Sequence, residues 1–169
     1  DVMSKLGVAT SLLPGGEIFS ALEKGVIDAS EFSMPVVDKL LGFHKIAKFN
    51  YFPGWHQQAT VFELLINNNT WNKMSDMQQN AIAMTCKANM TDSLAESEAV
   101  QGAAIRENIE KNGVQVKRWS PEMLSAFKGA WQEALVDLRK DATFDAVWKD
   151  LSAFRKDYAY WNNLAFLPR

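Results

Sequence analysis

The feature of this sequence that most constrains its fold is a long stretch of helical periodicity that begins after Ser75. Small or apolar residues recur there at alternating spacings of four and three, which places them on one face of an α-helix. They run through Met77, Ala81, Met84, Ala88, Thr91, Ala95, Glu98, Gly102, Ile105 and Ile109, with Thr91 and Glu98 as the polar members. Ser75 and Gln78 have capping-box spacing, and Gly113 provides a helix stop. At about 1.5 Å per residue the helix would be roughly 50 Å long, so we predict a spine shared by two lobes.

The rest of the chain alternates between β-prone and helical segments. Short strands are predicted at 8–13, 26–32, 45–52, 59–67 and 114–119, where β-branched and aromatic residues cluster between turn residues. Helices are predicted at 15–25 and 35–43, between these strands. The alternation is typical of an α/β fold.

Two further helices are predicted at the C-terminal end. Ser120 is a suitable N-cap and Pro121 suits the first helical position, with Leu124, Phe127, Trp131, Leu135 and Leu138 facing inward. The last helix carries the apolar series Phe144, Val147, Leu151, Phe154, Tyr158 and Trp161. An opening helix is predicted to stop at Gly7.

Charge and composition exclude several classes of function. Eighteen Lys and Arg residues against 20 Asp and Glu residues give a net charge of −2, and no basic run is present, so nucleic-acid binding is not predicted. Glu63 interrupts the most apolar run, which is far shorter than the roughly 20 residues of a membrane-spanning helix. Cys86, the only cysteine among 169 residues, has no internal partner for a disulfide and is interpreted as a structural thiol.

Most polar motifs have ordinary structural explanations. His44 and His56, the only histidines, have no third nitrogen or sulfur ligand grouped nearby, so no zinc site is predicted. No strand-Ser-helix elbow supports a hydrolase triad. Asp38 and Lys39 are interpreted as part of the solvated face of a short helix.

Glu31 is the strongest candidate for a functional carboxylate. It lies between Ser30 and Phe32 at the end of a β-prone run, where its charge is costly to bury unless it is paired or coordinated. Gln57 and Gln58 follow an aromatic Pro-Gly turn. Amide oxygens there would suit a hard cation together with a carboxylate, because such cations prefer oxygen ligands.

The residues from 1 to about Trp55 resemble the solute-binding proteins of TRAP transporters, the tripartite ATP-independent periplasmic carriers. The resemblance is carried by "KLGV", "LPGGEIFSALEKGVIDASEF", "LLGFHKIAKFNYFPGW" and the Asp38 region, and it is closest to the branch that binds 2-oxo acids and related small carboxylates. It continues through the long helix and the aromatic C-terminus in a general way. The resemblance implies that residues 1–169 are the C-terminal half of a two-lobed α/β periplasmic receptor.

The resemblance also implies a binding site. The acid-aromatic pair of the family, usually Glu-Trp, falls on Glu31 and Phe32. The Glu31 side chain, the Phe32 backbone carbonyl and the Gln57 amide are expected to hold a sodium or calcium ion that bridges to the substrate carboxylate. Phe32, Trp55 and Gln57 are the expected substrate-binding residues. The arginine with which the family binds the substrate carboxylate lies upstream of the "KLGV" region and has no counterpart here.

The function expected from the resemblance is that of a receptor, not an enzyme, which delivers a small organic acid to a TRAP membrane permease. Two alternatives stay open. A carboxylate-metal enzyme would use Glu31 as a base, and an assembly module would use the long helix and aromatic tail only for association. The aromatic C-terminal helix also predicts a homodimer formed through it.

Overall fold

The structure, a computed structural model, describes residues 1–55, 57, 60 and 62–167. It divides into two compact units. The first consists of Asp1–Leu12 and Ser120–Arg169, and the second of Leu13–Trp119. The predicted α/β class is confirmed, with helices predominating over one small parallel sheet.

The first unit is helical. It contains α1 (Val2–Lys5), α6 (Pro121–Leu138) and α7 (Ala142–Ala165), with α1 packed on α6. The predicted start of α6 is confirmed, because the Ser120 side chain accepts a hydrogen bond from Met123 N–H and Pro121 occupies the first helical turn. Three residues of α6 are buried, namely Phe127, Ala130 and Ala134. This face supplies the apolar interior of the unit.

The second unit contains the remaining elements, in the order α2 (Gly15–Glu23), α3 (Pro35–Leu40), a 3-10 turn (Phe43–Lys45), β1 (Phe49–Phe52), α4 (Asn68–Trp71), α5 (Asp76–Glu110) and β2 (Gln115–Arg118). The two strands are parallel, in a register that runs from Phe49 opposite Gln115 to Phe52 opposite Arg118. A parallel pair requires a long crossover connection, and α5 lies within it. The predicted strand at 45–52 is confirmed in its last four residues, and the predicted strand at 114–119 in its central four.

Helix α5 confirms the strongest sequence prediction. It spans 35 residues, and a complete capping box at Ser75 and Gln78 satisfies its first backbone donors. Gly113 follows it with φ of 67°, a conformation that glycine adopts without steric cost. Only Ala104 and Asn108 are buried, both near the C-terminal end. The side chains of Gln101 and Glu107, in the last three turns of α5, bond to α3, which packs against this helix.

Three strand predictions are wrong. Residues 8–13 and 26–32, and the described residues of 59–67, form no strand. A strand is stabilised by hydrogen bonds to a neighbouring strand, and β1 and β2 are the only two strands in the part of the chain that the structure describes. The β-prone composition of these segments is therefore not sufficient to give them strand geometry.

The prediction for Asp38 and Lys39 is also wrong. Both residues are half-buried instead of lying on a solvated helix face. They belong to α3, whose inner side is covered by α5. Among the described residues, no helix combines the length and apolar composition required to cross a bilayer.

Candidate functional site

The two candidate residues of the acid-aromatic pair lie in the loop that joins α2 to α3. We call this segment, residues 26–34, the acid-aromatic loop. Glu31 and Phe32 are both exposed, with Phe32 at 41%. The Glu31 carboxylate therefore avoids the cost of burial, and its role as a cation ligand stays a prediction. Exposure leaves a carboxylate accessible to a cation.

The aromatic ring of Phe32 is supported from the 3-10 turn. It meets the ring of Phe43 edge to face, with centroids 6.2 Å apart and an interplanar angle of 86°. This is a favourable arrangement for two aromatic rings. Phe43 is buried, with 8% of its surface exposed, so it provides a fixed partner. The contact ties the acid-aromatic loop to the interior of its unit.

Asp38 ties the same loop to α3. The backbone N–H of Ser33 donates a hydrogen bond to Oδ1 of Asp38 at 3.1 Å. Burial raises the pKa of Asp38 to about 6; the hydrogen bond from Ser33 opposes this rise, and the negative charge of Glu31 adds to it.

Helix α3 is in turn fixed to α5. The backbone N–H of Val36 donates to Oε1 of Gln101 at 3.1 Å, while Nε2 of the same amide donates to the Ser97 carbonyl at 2.8 Å. Gln101 therefore uses both ends of its amide, which fixes its orientation. It satisfies one of the N-terminal backbone donors that a helix cannot satisfy internally.

An ion pair makes a second connection between these helices. Lys39 Nζ donates to Glu107 Oε2, and Lys111 Nζ lies 3.8 Å from Glu107 Oε1. The hydrogen bond and positive charge of Lys39 hold the pKa of Glu107 below its usual value. The end of α5 thus fixes α3, and α3 fixes the acid-aromatic loop.

Sequence reasoning missed Asp38 and Gln101 as parts of this support. A signal was present for Asp38, since it is an acidic residue in the first turn of α3. No local signal identifies Gln101, because 65 residues separate it from Val36.

The remaining candidates follow β1. Trp55 is half-buried, whereas Gln57 is exposed. Nε2 of Gln57 donates to the Thr60 hydroxyl at 2.8 Å. This bond uses the amide nitrogen and not the oxygen, which is the atom that a cation requires. The bond stays within the local loop, so a cation shared by Glu31 and Gln57 stays a prediction. Gln58 lies outside the described residues.

The predicted cation site has few charged donors. No group of three or more His, Cys, Asp or Glu side chains that could hold a metal occurs among the residues that the structure describes. The predicted site contains one such side chain, Glu31, and takes its other oxygens from a backbone carbonyl and an amide. His56 lies outside the described residues.

Comparison with protein families identifies the class. Residues 1–141 match the family model for DctP, bacterial extracellular solute-binding protein, family 7. The chain belongs to this family. The match includes α1–α6, and therefore the acid-aromatic loop and its support from α3 and α5.

The relatives of this family-7 chain that it matches bind small organic acids. It is 36% identical over 165 residues to the monocarboxylate 2-oxoacid-binding periplasmic protein all3028 of Nostoc sp., covering 96% of this chain and 45% of the relative. A TRAP transporter solute binding protein from Bordetella bronchiseptica has a TM-score of 0.86 and 32% identity, over 97% of this chain and 49% of that one. It was solved as a mixed occupancy dimer with copurified calcium and picolinate in the bound active site.

A third relative binds a different cation. The TRAP periplasmic solute binding protein from Pseudoalteromonas atlantica has a TM-score of 0.87 and 25% identity, over 97% of this chain and 50% of that one, and holds sodium and pyruvate. The chain spans about half the length of the relatives that it matches. The predicted resemblance to TRAP solute-binding proteins is confirmed.

Proposed function

We propose that the full-length protein containing this chain is a periplasmic receptor for a small 2-oxo acid, bound together with a calcium or sodium ion. The observation that carries the proposal is the match of almost the whole chain to relatives that bind such acids, including one with sodium and pyruvate. The receptor would deliver the acid to a TRAP-type membrane permease. Pyruvate is the most direct probe of the class.

In this proposal, residues 1–169 form the C-terminal portion of a two-lobed receptor. Its support is the coverage, which is 96–97% of this chain but only 45–50% of the relatives. The other portion would supply the arginine expected for the substrate carboxylate. The two compact units of this chain would each form part of the complete protein.

The donor chemistry of this chain fits a hard cation. Glu31 would contribute its carboxylate, Phe32 its backbone carbonyl and Gln57 its amide oxygen. Calcium takes about six to eight oxygen ligands, so three donors leave positions for the acid and for residues outside this chain. Phe32, Trp55 and Gln57 would contact the acid. The cation would supply positive charge for the substrate carboxylate, while the support from Phe43 and Asp38 keeps the Glu31–Phe32 segment in place.

The main alternative is a carboxylate-metal enzyme in which Glu31 acts as a base. A receptor returns its acid unchanged, whereas an enzyme converts it. We would incubate the full-length protein with pyruvate and calcium, recover the acid, and compare its proton NMR spectrum with that of the starting material. Unchanged pyruvate supports the receptor, and turnover that depends on protein concentration would overturn it.

Binding itself is tested by thermal stability. A ligand at 100 times its Kd stabilises the folded state by about 2.7 kcal/mol. We therefore expect pyruvate with calcium to raise the melting temperature by several degrees, and expect less effect after chelation. Glycerol, which has no carboxylate, is the matched negative ligand. Equal melting temperatures with pyruvate and with glycerol would contradict the proposal.

We also propose that a second copy of the protein covers α7. Five apolar residues follow one another along this helix at spacings of four and three, and each is at least 37% exposed: Val147, Leu151, Phe154, Tyr158 and Trp161. The rings of Phe154 and Tyr158 stack with centroids 5.7 Å apart, which preorganises part of this surface. The mixed occupancy dimer of the Bordetella relative supports a copy of the same chain as the partner.

The dimer is tested by mass in solution. Deleting 154–169 from the full-length protein should convert a dimer into a monomer without abolishing pyruvate binding. A protein that is monomeric both with and without this segment would refute the dimer. If the deletion abolishes dimerisation and binding together, substituting Phe154 by Ser separates loss of the interface from loss of folding.

A further inference from the structure

The first residue of α2 lies directly against the ring of Phe32. A Cβ atom placed on Gly15 would lie 2.7 Å from Cε2 and 2.8 Å from Cζ of that ring. Non-bonded carbon atoms are most favourable at about 3.5–4.0 Å, so any side chain at Gly15 would overlap the ring. The residue is in a helical conformation that any amino acid can adopt. Its lack of a side chain therefore matters for the contact and not for the backbone angle.

The ring of Phe32 has partners on two sides, although 41% of the residue is exposed. The same ring forms a T-shaped pair with the ring of the buried Phe43, so it lies between α2 and the 3-10 turn. Directly after Phe32, the N–H of Ser33 is held by Asp38. With these contacts in place, displacement of the ring must be accommodated by an altered rotamer or by a shift of the loop backbone.

We propose that Gly15 is a positioning residue for the cation site, acting through the ring of Phe32. This inference rests on the function proposed above. Because Gly15 has no Cβ, the Phe32 ring can pack against the start of α2. The packed ring then fixes the backbone of Phe32. The carbonyl of Phe32 and the neighbouring Glu31 carboxylate are the groups that face the cation. Ligand distances at a metal vary by only about 0.2 Å, so a small backbone shift alters its affinity.

The next residue provides a matched control. A Cβ on Gly16 would meet nothing within 4 Å, and Gly16 belongs to the same turn of α2. Alanine at either position has the same effect on intrinsic helix propensity to a first approximation. A difference between Gly15→Ala and Gly16→Ala therefore isolates the contact with Phe32.

Calcium affinity in saturating pyruvate, measured by titration calorimetry on the full-length protein, tests the proposal. We expect Gly15→Ala to weaken calcium binding by about tenfold, within the range for residues that orient metal ligands, while Gly16→Ala changes it less than about twofold. Equal affinities of the two variants would overturn the proposal.

A second background distinguishes positioning from a general structural role. Leucine at position 32 lacks the Cε and Cζ atoms that would clash, but it keeps the backbone carbonyl. In Phe32→Leu protein, Gly15→Ala should therefore cause no further loss of calcium affinity, which is the non-additivity expected of two residues in contact. A tenfold loss in this background as well would overturn the proposal, since the effect would not pass through the ring.

The outcomes also separate this proposal from the receptor proposal. If the parent binds neither calcium nor pyruvate, both proposals fail. If the parent binds both ligands and the two alanine variants bind equally, only the positioning role fails. If Gly15→Ala does not fold, the double variant is compared with Phe32→Leu alone. Restored folding and equal calcium affinity in these two proteins supports the proposal, and weaker binding by a folded double variant than by Phe32→Leu overturns it.

Discussion

The backbone N–H of Ser33 and the Oδ1 atom of Asp38 are joined by a hydrogen bond of 3.1 Å, which connects the acid-aromatic loop to the first turns of α3. Asp38 is half-buried, while its bond to Ser33 lies at an exposed position. The relationship leads to two predictions about the stability of the loop.

The first prediction compares two neutral substitutions of Asp38. Asn keeps an oxygen acceptor for Ser33, whereas Ala removes it, and both remove the charge. We expect Asp38→Asn to be more stable than Asp38→Ala by about 1 kcal/mol, a typical net value for one hydrogen bond. Urea denaturation measures the difference. Equal midpoints and slopes for the two variants would show that the bond does not stabilise the fold.

The second prediction concerns pH. The pKa of Asp38 is about 6 in the folded protein, against 3.8 as its ordinary value. Between these values the folded state holds a proton that the unfolded state has released, so stability from this group rises as pH falls from 7 towards 4. Asp38→Asn cannot make this gain. In chelator-treated buffer, the melting temperature of the variant minus that of the parent should therefore decrease as the pH is lowered from 7 to 4. An increase in this difference as the pH is lowered would contradict the prediction.

The third prediction concerns the ion pair between α3 and α5. Replacing Lys39 with Met removes the hydrogen bond and the charge that lower the pKa of Glu107. We expect that pKa to rise towards its ordinary value, with the carboxyl carbon of Glu107 followed by NMR titration. Lys140→Met, on the first unit, is the control and should leave Glu107 unchanged. An unaltered pKa in Lys39→Met would mean that the pair is not formed in solution.

The fourth prediction concerns Gln101. Its replacement by Ala leaves the Val36 N–H without its side-chain acceptor, and we expect a loss of about 1 kcal/mol in the free energy of unfolding. Asn89→Ala, at an exposed position of the same helix, should cost less than about 0.5 kcal/mol. Chemical denaturation of both variants provides the measurement. Equal losses in the free energy of unfolding for the two variants would show that Gln101 does not stabilise the position of α3.

The fifth prediction concerns Glu31 in the proposed cation site. Glu31→Gln keeps the shape of the side chain but removes its charge, so calcium should bind about tenfold or more weakly and pyruvate affinity should fall with it at limiting calcium. Glu23→Gln, at the end of α2, is the control and should bind as the parent does. If Glu31→Gln binds pyruvate as tightly as the parent both in chelator and in excess calcium, Glu31 is not a cation ligand.

Much of the local structure followed from the sequence because its causes are local. The capping box of Ser75 and Gln78 lies within one helical turn and defines the start of α5. Likewise, Ser120 and Pro121 carry the start of α6 in adjacent residues. The family resemblance pointed to Glu31 and Phe32, although their joint role with Gln57 stays a prediction.

The strands were predicted less well because a β-prone segment is completed by a partner elsewhere in the chain. Residues 45–52 contain β1 because residues 115–118 lie beside part of them, whereas 26–32 have the composition of a strand but lie in a loop. The composition of a segment indicates whether it can form a strand, and pairing with another strand decides whether it does.

The sequence by itself determined the long helix, the helix starts and the residues that resemble the acid-aromatic pair of the family. Only the tertiary structure decided what holds that pair. The ring of Phe32 packs against Gly15, the carboxylate of Asp38 accepts a hydrogen bond from Ser33 N–H, and the amide of Gln101 accepts one from Val36 N–H. Capping and periodicity act over a few residues and leave a pattern in the sequence. Contacts between segments as far apart as 65 residues depend on how the helices pack, and a linear pattern does not record that.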